Sequence, residues 1–374
     1  MTSKPATSRA AALVTPGQPL QLIDVPIPDP IEDGAILVRT QVATLCGTDV
    51  HVRDGAVQSA GGADAVPLIL GHEMVGRIVA FGNGPRTDSL GQPVAEGDRI
   101  VWTHGMCGRC RACTIDHEPS LCENRRRYMT EPATRYPYLN GGLSEYGYVY
   151  PTSGRVRVPD DVPDAVASAS SCALRTVMHG FERLGGIADT DTVVVQGAGP
   201  VGLFAVAKAV CEGASRVIVI GGPKARLALA ASWGAATVID VADVTTPEDR
   251  VQAVRDLTDG RGGEIVLEMS GIPSAFSEGM GMLRKGGRYL IVGQAHNQQV
   301  EFNPSFIMFN QATLIGSLSA GVDHYWKALE FLRNNADRFD WSDMLSGPYP
   351  LEQVNDAFDQ MASWHDIKPV ISFA

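Results

Sequence analysis

The sequence predicts an α/β protein, with a β-rich first part followed by a doubly wound parallel sheet. Three observations carry that expectation. The chain has 374 residues, more than one compact core usually holds. From Asp191 to Gly293, short apolar runs alternate with segments of helical spacing. Before about residue 165, the apolar runs are instead separated by Gly, Pro and Asp turns.

In the first part, AILVRTQVATL, HEMVGRIVAFG and DRIVWT are rich in β-branched residues and read as strands. The pattern changes at VPDAVASASSCALRTVMHGFERL, which has helical spacing and few turn residues. TVVVQ then reads as a buried strand, PVGLFAVAKAVCEGA as a helix, RVIVI as a strand and PKARLALAASWGA as a helix. TVID, PEDRVQAVRDLT, EIVLEMS, PSAFSEGMGML and RYLIVG continue the alternation. Short loops between strand and helix imply a parallel sheet covered on both faces. After TLIGSLS, the segments HYWKALEFLRNNA and LEQVNDAFDQMASW read as helices and KPVISF as a closing strand.

Composition narrows the function. Hydrophobic residues make up 44% and charged residues 20%, as in a well-packed globular protein. A net charge of −11 argues against binding nucleic acid or a membrane surface, both of which need a basic stripe. The one basic run, Arg125-Arg126-Arg127, is expected to be a solvated loop rather than an anion or cofactor contact. No apolar run reaches the ~18 residues of a membrane-crossing helix, and MTSKPATSRAAALVTPGQP lacks the apolar core of a signal peptide. The expected location is therefore the cytoplasm. Seven cysteines in a reducing compartment point to metal binding or catalysis rather than disulfides.

Four of the seven lie in CGRCRACTIDHEPSLC. Cys107, Cys110 and Cys113 are spaced by two residues, and Cys122 follows after eight more. Two-residue gaps let neighbouring thiolates turn back on one ion, and four sulfurs complete a closed, structural zinc site. An iron–sulfur cluster is the alternative. Cys46 lies in TLCGTDVH, His72 in LGHEMVG and Cys172 in SSCALRT. Two thiolates and an imidazole make a three-ligand zinc site whose fourth position stays open to substrate. Cys211, in AKAVCEGA, is assigned to packing.

TVVVQGAGPVGLFAVAKA contains G-x-G-x-x-G between a strand and a helix, the context in which that motif binds a dinucleotide. Gly197 permits the turn, Gly199 lets the backbone approach the pyrophosphate, and Gly202 permits close helix–strand packing. Pro200 and Val201 open the helix, whose N-terminus offers free N–H groups to phosphate.

Together these motifs resemble the zinc-dependent alcohol dehydrogenases of the medium-chain dehydrogenase/reductase superfamily, over nearly the whole chain. The likeness rests on C-G-T-D-x-H at Cys46 to His51, G-H-E at Gly71 to Glu73 and the four-cysteine lobe. It also rests on GGLSEY at Gly141 to Tyr146, C-x-x-x-T at Cys172 to Thr176 and GAGPVG at Gly197 to Gly202. The resemblance implies a GroES-like β-rich catalytic domain at 1–168, with a structural zinc lobe at 107–122. It further implies a Rossmann dinucleotide-binding domain at 169–316 and a return to the catalytic domain at 317–374. The implied reaction is hydride transfer between an alcohol, or its aldehyde or ketone, and NAD(P). A polyol, sugar or amino-cyclitol dehydrogenase is the alternative, which Cys172 as third ligand disfavours.

By the same resemblance, Cys46, His72 and Cys172 are the catalytic zinc ligands, and Glu73 is a carboxylate able to approach the metal. Asp49 orients the His72 imidazole. Thr48 takes the alcohol proton and His51 ends the relay. Thr176, Val292 and Lys368 fall at cofactor positions, Val292 beside the nicotinamide and Lys368 at the pyrophosphate. No acid follows RVIVI; Gly221, Lys224 and Arg226 do, and the two cations favour NADP over NAD. Trp102, Tyr136, Tyr138 and Leu318 are candidates to line the cleft, and GAVQSAGGADAVP is an enlarged loop near it. The gap of eight residues before Cys122 is one longer than usual in the family. The loop after Cys122 is shorter than in the dimeric animal enzymes, which favours a homotetramer over a homodimer. The partners expected are a small alcohol or carbonyl compound and copies of the same chain.

Overall fold

A computed structural model describes residues 5–56, 66–293 and 298–373. Much of GAVQSAGGADAVP lies outside the described residues. The chain divides into two compact units. One comprises Met1–Arg175, Ala320–Asn335 and Leu345–Ala374; the other comprises Thr176–Ser319 and Ala336–Met344.

In the first unit a seven-stranded sheet runs Leu345–Pro350, Lys368–Ser372, Ile36–Thr44, Met74–Phe81, Arg99–Gly105, Ser153–Arg157, with Tyr146–Val149 also paired to Ile36–Thr44. A three-stranded sheet of Gln21–Pro26, Thr7–Leu13 and Leu68–Ile69 completes it. Leu37, Val38, Ile78 and Ile100 are at most 1% exposed and fill its core. Trp102 belongs to that core too, against the Gly76 and Gly147 backbones, so it is packing rather than a cleft residue. The last strand, Lys368–Ser372, pairs antiparallel with the end of Ile36–Thr44, Val370 opposite Thr44. Chain end and Cys46 segment are thereby joined.

In the second unit six parallel strands run Thr237–Asp240, Arg216–Gly221, Thr192–Gln196, Gly263–Glu268, Leu283–Ile291, Thr313–Gly316. Counted along the chain, this is the order 3-2-1-4-5-6 of two mononucleotide-binding halves. Val193, Val194 and Val195 are fully buried, as a strand covered on both faces requires. Ala336–Met344, which falls within the tail expected to return to the catalytic domain, is grouped here by Phe339 and Trp341. Their rings lie 5.8 Å from Trp233 and 5.9 Å from Phe204 respectively.

Sequence patterning overlooks Leu345–Pro350, because LSGPYP carries a glycine and two prolines. Proline is tolerated on an edge strand, and this strand is at the sheet's edge.

Candidate active site

The strand Ile36–Thr44 delivers Cys46 to the N-cap of the short helix Gly47–Arg53. Asp49, fully buried in that helix, accepts from the Cys46 N–H (2.8 Å) and the Gly71 N–H (3.1 Å). Its Oδ1 also lies 3.3 Å from His72 Nδ1. One carboxylate thus ties both loops together and leaves the other imidazole nitrogen available. Cys172 comes from a π-helical turn, Ser170–Leu174, where sequence spacing predicts plain helix. Such turns reorient side chains within a helix and recur at functional sites.

The ligand atoms of Cys46, His72, Glu73 and Cys172 all lie within 4.8 Å of one another. Cys46 and Cys172 share a hydrogen bond, which together with burial pushes the Cys46 thiol up to about 12. The same bond, aided by Arg175, draws Cys172 below its ordinary value against its burial. Burial alone would lower His72, but Asp49 and Cys46 more than offset it and hold the imidazole well above the usual range. These groups compete for protons at close quarters, which a cation bound among them relieves. Two sulfurs and an imidazole suit zinc.

Thr48 and His51 are exposed on the same helix, Thr48 Oγ1 lying 3.8 Å from Cys46 Sγ. Lys368 has a partner the sequence reading did not assign. Its ammonium, 1% exposed, lies on the Glu73 carboxylate rather than on a surface open to pyrophosphate. Burial raises Glu73 to about 7, with Lys368 acting in the opposite direction. Thr44 Oγ1 donates to the same carboxylate at 2.5 Å.

The four lobe sulfurs also lie within 4.8 Å of one another, and none is in a disulfide. Cys110 Sγ is 3.6 Å from Cys113 Sγ and 4.0 Å from Cys122 Sγ. Tetrahedral zinc with sulfurs at ~2.3 Å separates them by roughly 3.8 Å, so the lobe fits the ion. The Arg109 and Cys110 N–H groups donate to Cys107 Sγ, and the Cys107 N–H donates to Cys122 Sγ. The Arg109 and Cys110 bonds help draw Cys107 down to about 6 against its burial.

In the second unit, Gly197 has φ +110°, and a side chain there would meet the Ser270 backbone at 2.9 Å. A Cβ at Gly202 would lie on the Gly197 carbonyl, whereas Gly199, at the N-cap of Pro200–Cys211, faces open space. Gly221 ends its strand against Ala198 N. Glu268, fully buried, accepts from Ser270 N, Ser270 Oγ and Gly271 N on one oxygen and from Gly293 N on the other. It thereby holds the turns at the ends of two strands, beside Val292. A methyl at Gly180, one helical turn after Thr176, would lie 3.7 Å from Val292. Lys224 is exposed, 3.3 Å from Asp243, while Arg226 is 8% exposed. Asp240, overlooked in the sequence, comes from the neighbouring strand to within 3.6 Å of the Gly222 position.

Tyr136 and Tyr138 pack edge to face on each other, and Tyr136 also on Tyr148. Leu318 is 60% exposed. Two polar residues near the metal cluster also escaped the sequence reading, His104 and Arg175. Spacing was the available signal for Arg175, since three residues after Cys172 in a helix is one turn away.

The Alcohol dehydrogenase GroES-like domain family matches residues 32–160, and the Zinc-binding dehydrogenase family matches residues 200–334. The 5-exo-hydroxycamphor dehydrogenase of Pseudomonas putida is 35% identical, over 97% of this chain and 98% of its own. The chain belongs to the zinc-dependent alcohol dehydrogenases of the medium-chain dehydrogenase/reductase superfamily. An L-threonine 3-dehydrogenase of Bacillus subtilis (strain 168) is 30% identical over 91% of this chain and 92% of its own. Among solved structures, an alcohol dehydrogenase from Thermotoga maritima is 34% identical with a TM-score of 0.90, covering 98% of this chain and all of that one. A structure from Sinorhizobium meliloti 1021 bound to NADP has TM-score 0.82 and 26% identity, covering 98% of this chain and 100% of that one. This zinc-type dehydrogenase transfers a hydride between an alcohol, or its aldehyde or ketone, and NAD(P). Its substrate is a small molecule. Among the described residues, no helix is long and apolar enough to cross a membrane.

Proposed function

We propose that the reaction takes place at a zinc ion held by Cys46, His72 and Cys172, with a second, structural zinc held by Cys107, Cys110, Cys113 and Cys122. The observation that supports this most is the convergence of two thiols, an imidazole and a carboxylate within 4.8 Å of one another. Bound zinc supplies Lewis acidity, which lets a hydroxyl lose its proton near neutral pH and makes a carbonyl carbon a better hydride acceptor.

The chain's own residues do the rest. Asp49 holds the His72 ring in one orientation, so the nitrogen facing Cys46 and Cys172 stays a ligand. Thr48 takes the substrate's hydroxyl proton, and the exposed His51 passes it to water. Glu73, neutralised by Lys368, stands ready to replace a ligand during substrate exchange. The glycine turn at Gly197, Gly199 and Gly202 takes the cofactor pyrophosphate at the helix N-terminus, where Pro200 has no N–H to lose. NADP is the form we favour: no acid ends the Arg216–Gly221 strand, and Lys224 is exposed close to it. Asp240, on the neighbouring strand, is the carboxylate that argues for NAD.

The enzyme is proposed to work in the cytoplasm as a homodimer or homotetramer. Met308 and Phe309, 64% and 74% exposed, are the kind of surface a subunit contact covers. The decisive experiment follows reduced nicotinamide absorbance over a panel of alcohols and carbonyls with NAD and NADP. Cys46→Ser and His72→Ala are expected to abolish turnover with the fold retained. Wild-type rates in either variant would remove the ligand assignment.

A further inference from the structure

The turn that carries Cys172 is closed twice by one residue, Arg175. Its backbone N–H bonds to the Ser170 and Cys172 carbonyls, the Ser170 bond spanning five residues as in a π-helix. In a regular α-helix that N–H would take the Ser171 carbonyl. The Arg175 side chain takes it instead, Nε donating to Ser171 O at 2.8 Å. The far end of the guanidinium is left directed at the sulfur, with Nη2 3.8 Å from Cys172 Sγ. Tyr325, of the helix Val322–Asn334, holds the group from another side, its ring centre 5.3 Å from Arg175 Cζ. Arg175 and Tyr325 are each 4% exposed, so water does little to screen the charge from the thiol.

Closing the turn needs one donor, the Nε that serves Ser171. Arginine adds a permanent charge and a second donor. Both fall on a sulfur that lies within 4.8 Å of the ligand atoms of Cys46, His72 and Glu73. The four-cysteine lobe uses neutral donors, the Arg109 and Cys110 N–H groups on Cys107 Sγ. A hydrogen bond from an ionised donor is roughly twice as strong as one from a neutral donor. It draws electron density from a thiolate. The sulfur then neutralises less of the charge on an ion it binds, and more is left to polarise the substrate oxygen.

We propose that Arg175 is a positioning residue for hydride transfer: it fixes the Cys172 sulfur and weakens it as an electron donor, raising the Lewis acidity available to the substrate. The inference rests on the reading of Cys46, His72 and Cys172 as the reaction centre, and deepens it.

Two substitutions separate this role from turn closure. Arg175→Gln puts an amide nitrogen where Nε stands, which keeps the Ser171 bond while removing the charge and the donor from the sulfur. Arg175→Lys keeps a charge near the sulfur but has no Nε for Ser171. The full-length enzyme is prepared with cobalt(II) at the Cys46 centre and zinc in the lobe, and the sulfur-to-cobalt charge-transfer band is recorded. A sulfur relieved of its donor gives up an electron more easily. The band is therefore expected at lower energy in Arg175→Gln and closer to its wild-type position in Arg175→Lys. In the zinc enzyme, the single-turnover rate of alcohol oxidation is expected to fall roughly tenfold in Arg175→Gln. KM for NAD(P) should be unchanged, and Arg175→Lys should recover part of the rate. The opposite order, with Arg175→Gln unmoved and Arg175→Lys shifted, overturns the inference, as does no movement in either. An effect confined to KM for the cofactor also overturns it. A wild-type band that survives Cys46→Ser unshifted would place the cobalt elsewhere and sink the reading of the reaction centre itself, and the inference with it.

Discussion

Lys368 and Glu73, 295 positions apart in the chain, form an ion pair with Nζ 2.7 Å from Oε1 and 2.5 Å from Oε2, both side chains at most 1% exposed. Breaking a buried pair leaves one charge without water or counterion, a loss of about 3–5 kcal/mol. Lys368→Met is expected to lower the unfolding free energy read from urea titration by that amount, with a lower midpoint. Glu73→Gln also lowers it, and the double variant recovers much of the loss. Strict additivity of the two single effects would show that the pair is not coupled.

Asp49→Asn is expected to weaken zinc binding at the Cys46 centre by roughly 10–100-fold while the chain stays folded. Asparagine keeps one acceptor oxygen but cannot serve the Cys46 N–H, the Gly71 N–H and His72 Nδ1 together. Competition against a chromogenic chelator measures it. Unchanged affinity would mean that the imidazole is oriented by something else.

Metal analysis of the wild type is expected to find close to two zinc ions per chain. Cys107→Ser removes a sulfur that accepts from both Arg109 and Cys110, and should leave one ion and an aggregation-prone protein. A wild-type preparation that saturates at a single zinc would contradict the two-site assignment.

Gly199 and Gly202 should separate cofactor binding from folding. Alanine at Gly199 meets no neighbour within 4 Å. Thermal stability should therefore hold, while KM for NAD(P) rises as the methyl intrudes on the pyrophosphate. Alanine at Gly202 lands on the Gly197 carbonyl, and overpacking of this kind costs about 1–3 kcal/mol or more. Equal effects in the two variants, in unfolding and in kinetics, would discard the distinction.

The motifs that stood out in the sequence are those whose chemistry is local. Cys107, Cys110 and Cys113 are close because two-residue gaps bring thiols together, and Gly197 to Gly202 make one turn at the start of one helix. The alternating strands and helices from Thr192 onward are likewise visible, because burial on both faces of a parallel sheet demands continuous apolar runs. Only the folded chain decided which distant groups meet. Lys368 reaches Glu73 because the terminal strand pairs with Ile36–Thr44, Phe339 and Trp341 draw Ala336–Met344 into the second unit, and the bridge to Gly105 sets Arg126 against Tyr150 and Glu32. Hydrophobic period and ligand spacing describe a residue's immediate neighbours along the chain. The partner of a buried charge is chosen by strand register and packing across hundreds of positions, which no local pattern encodes.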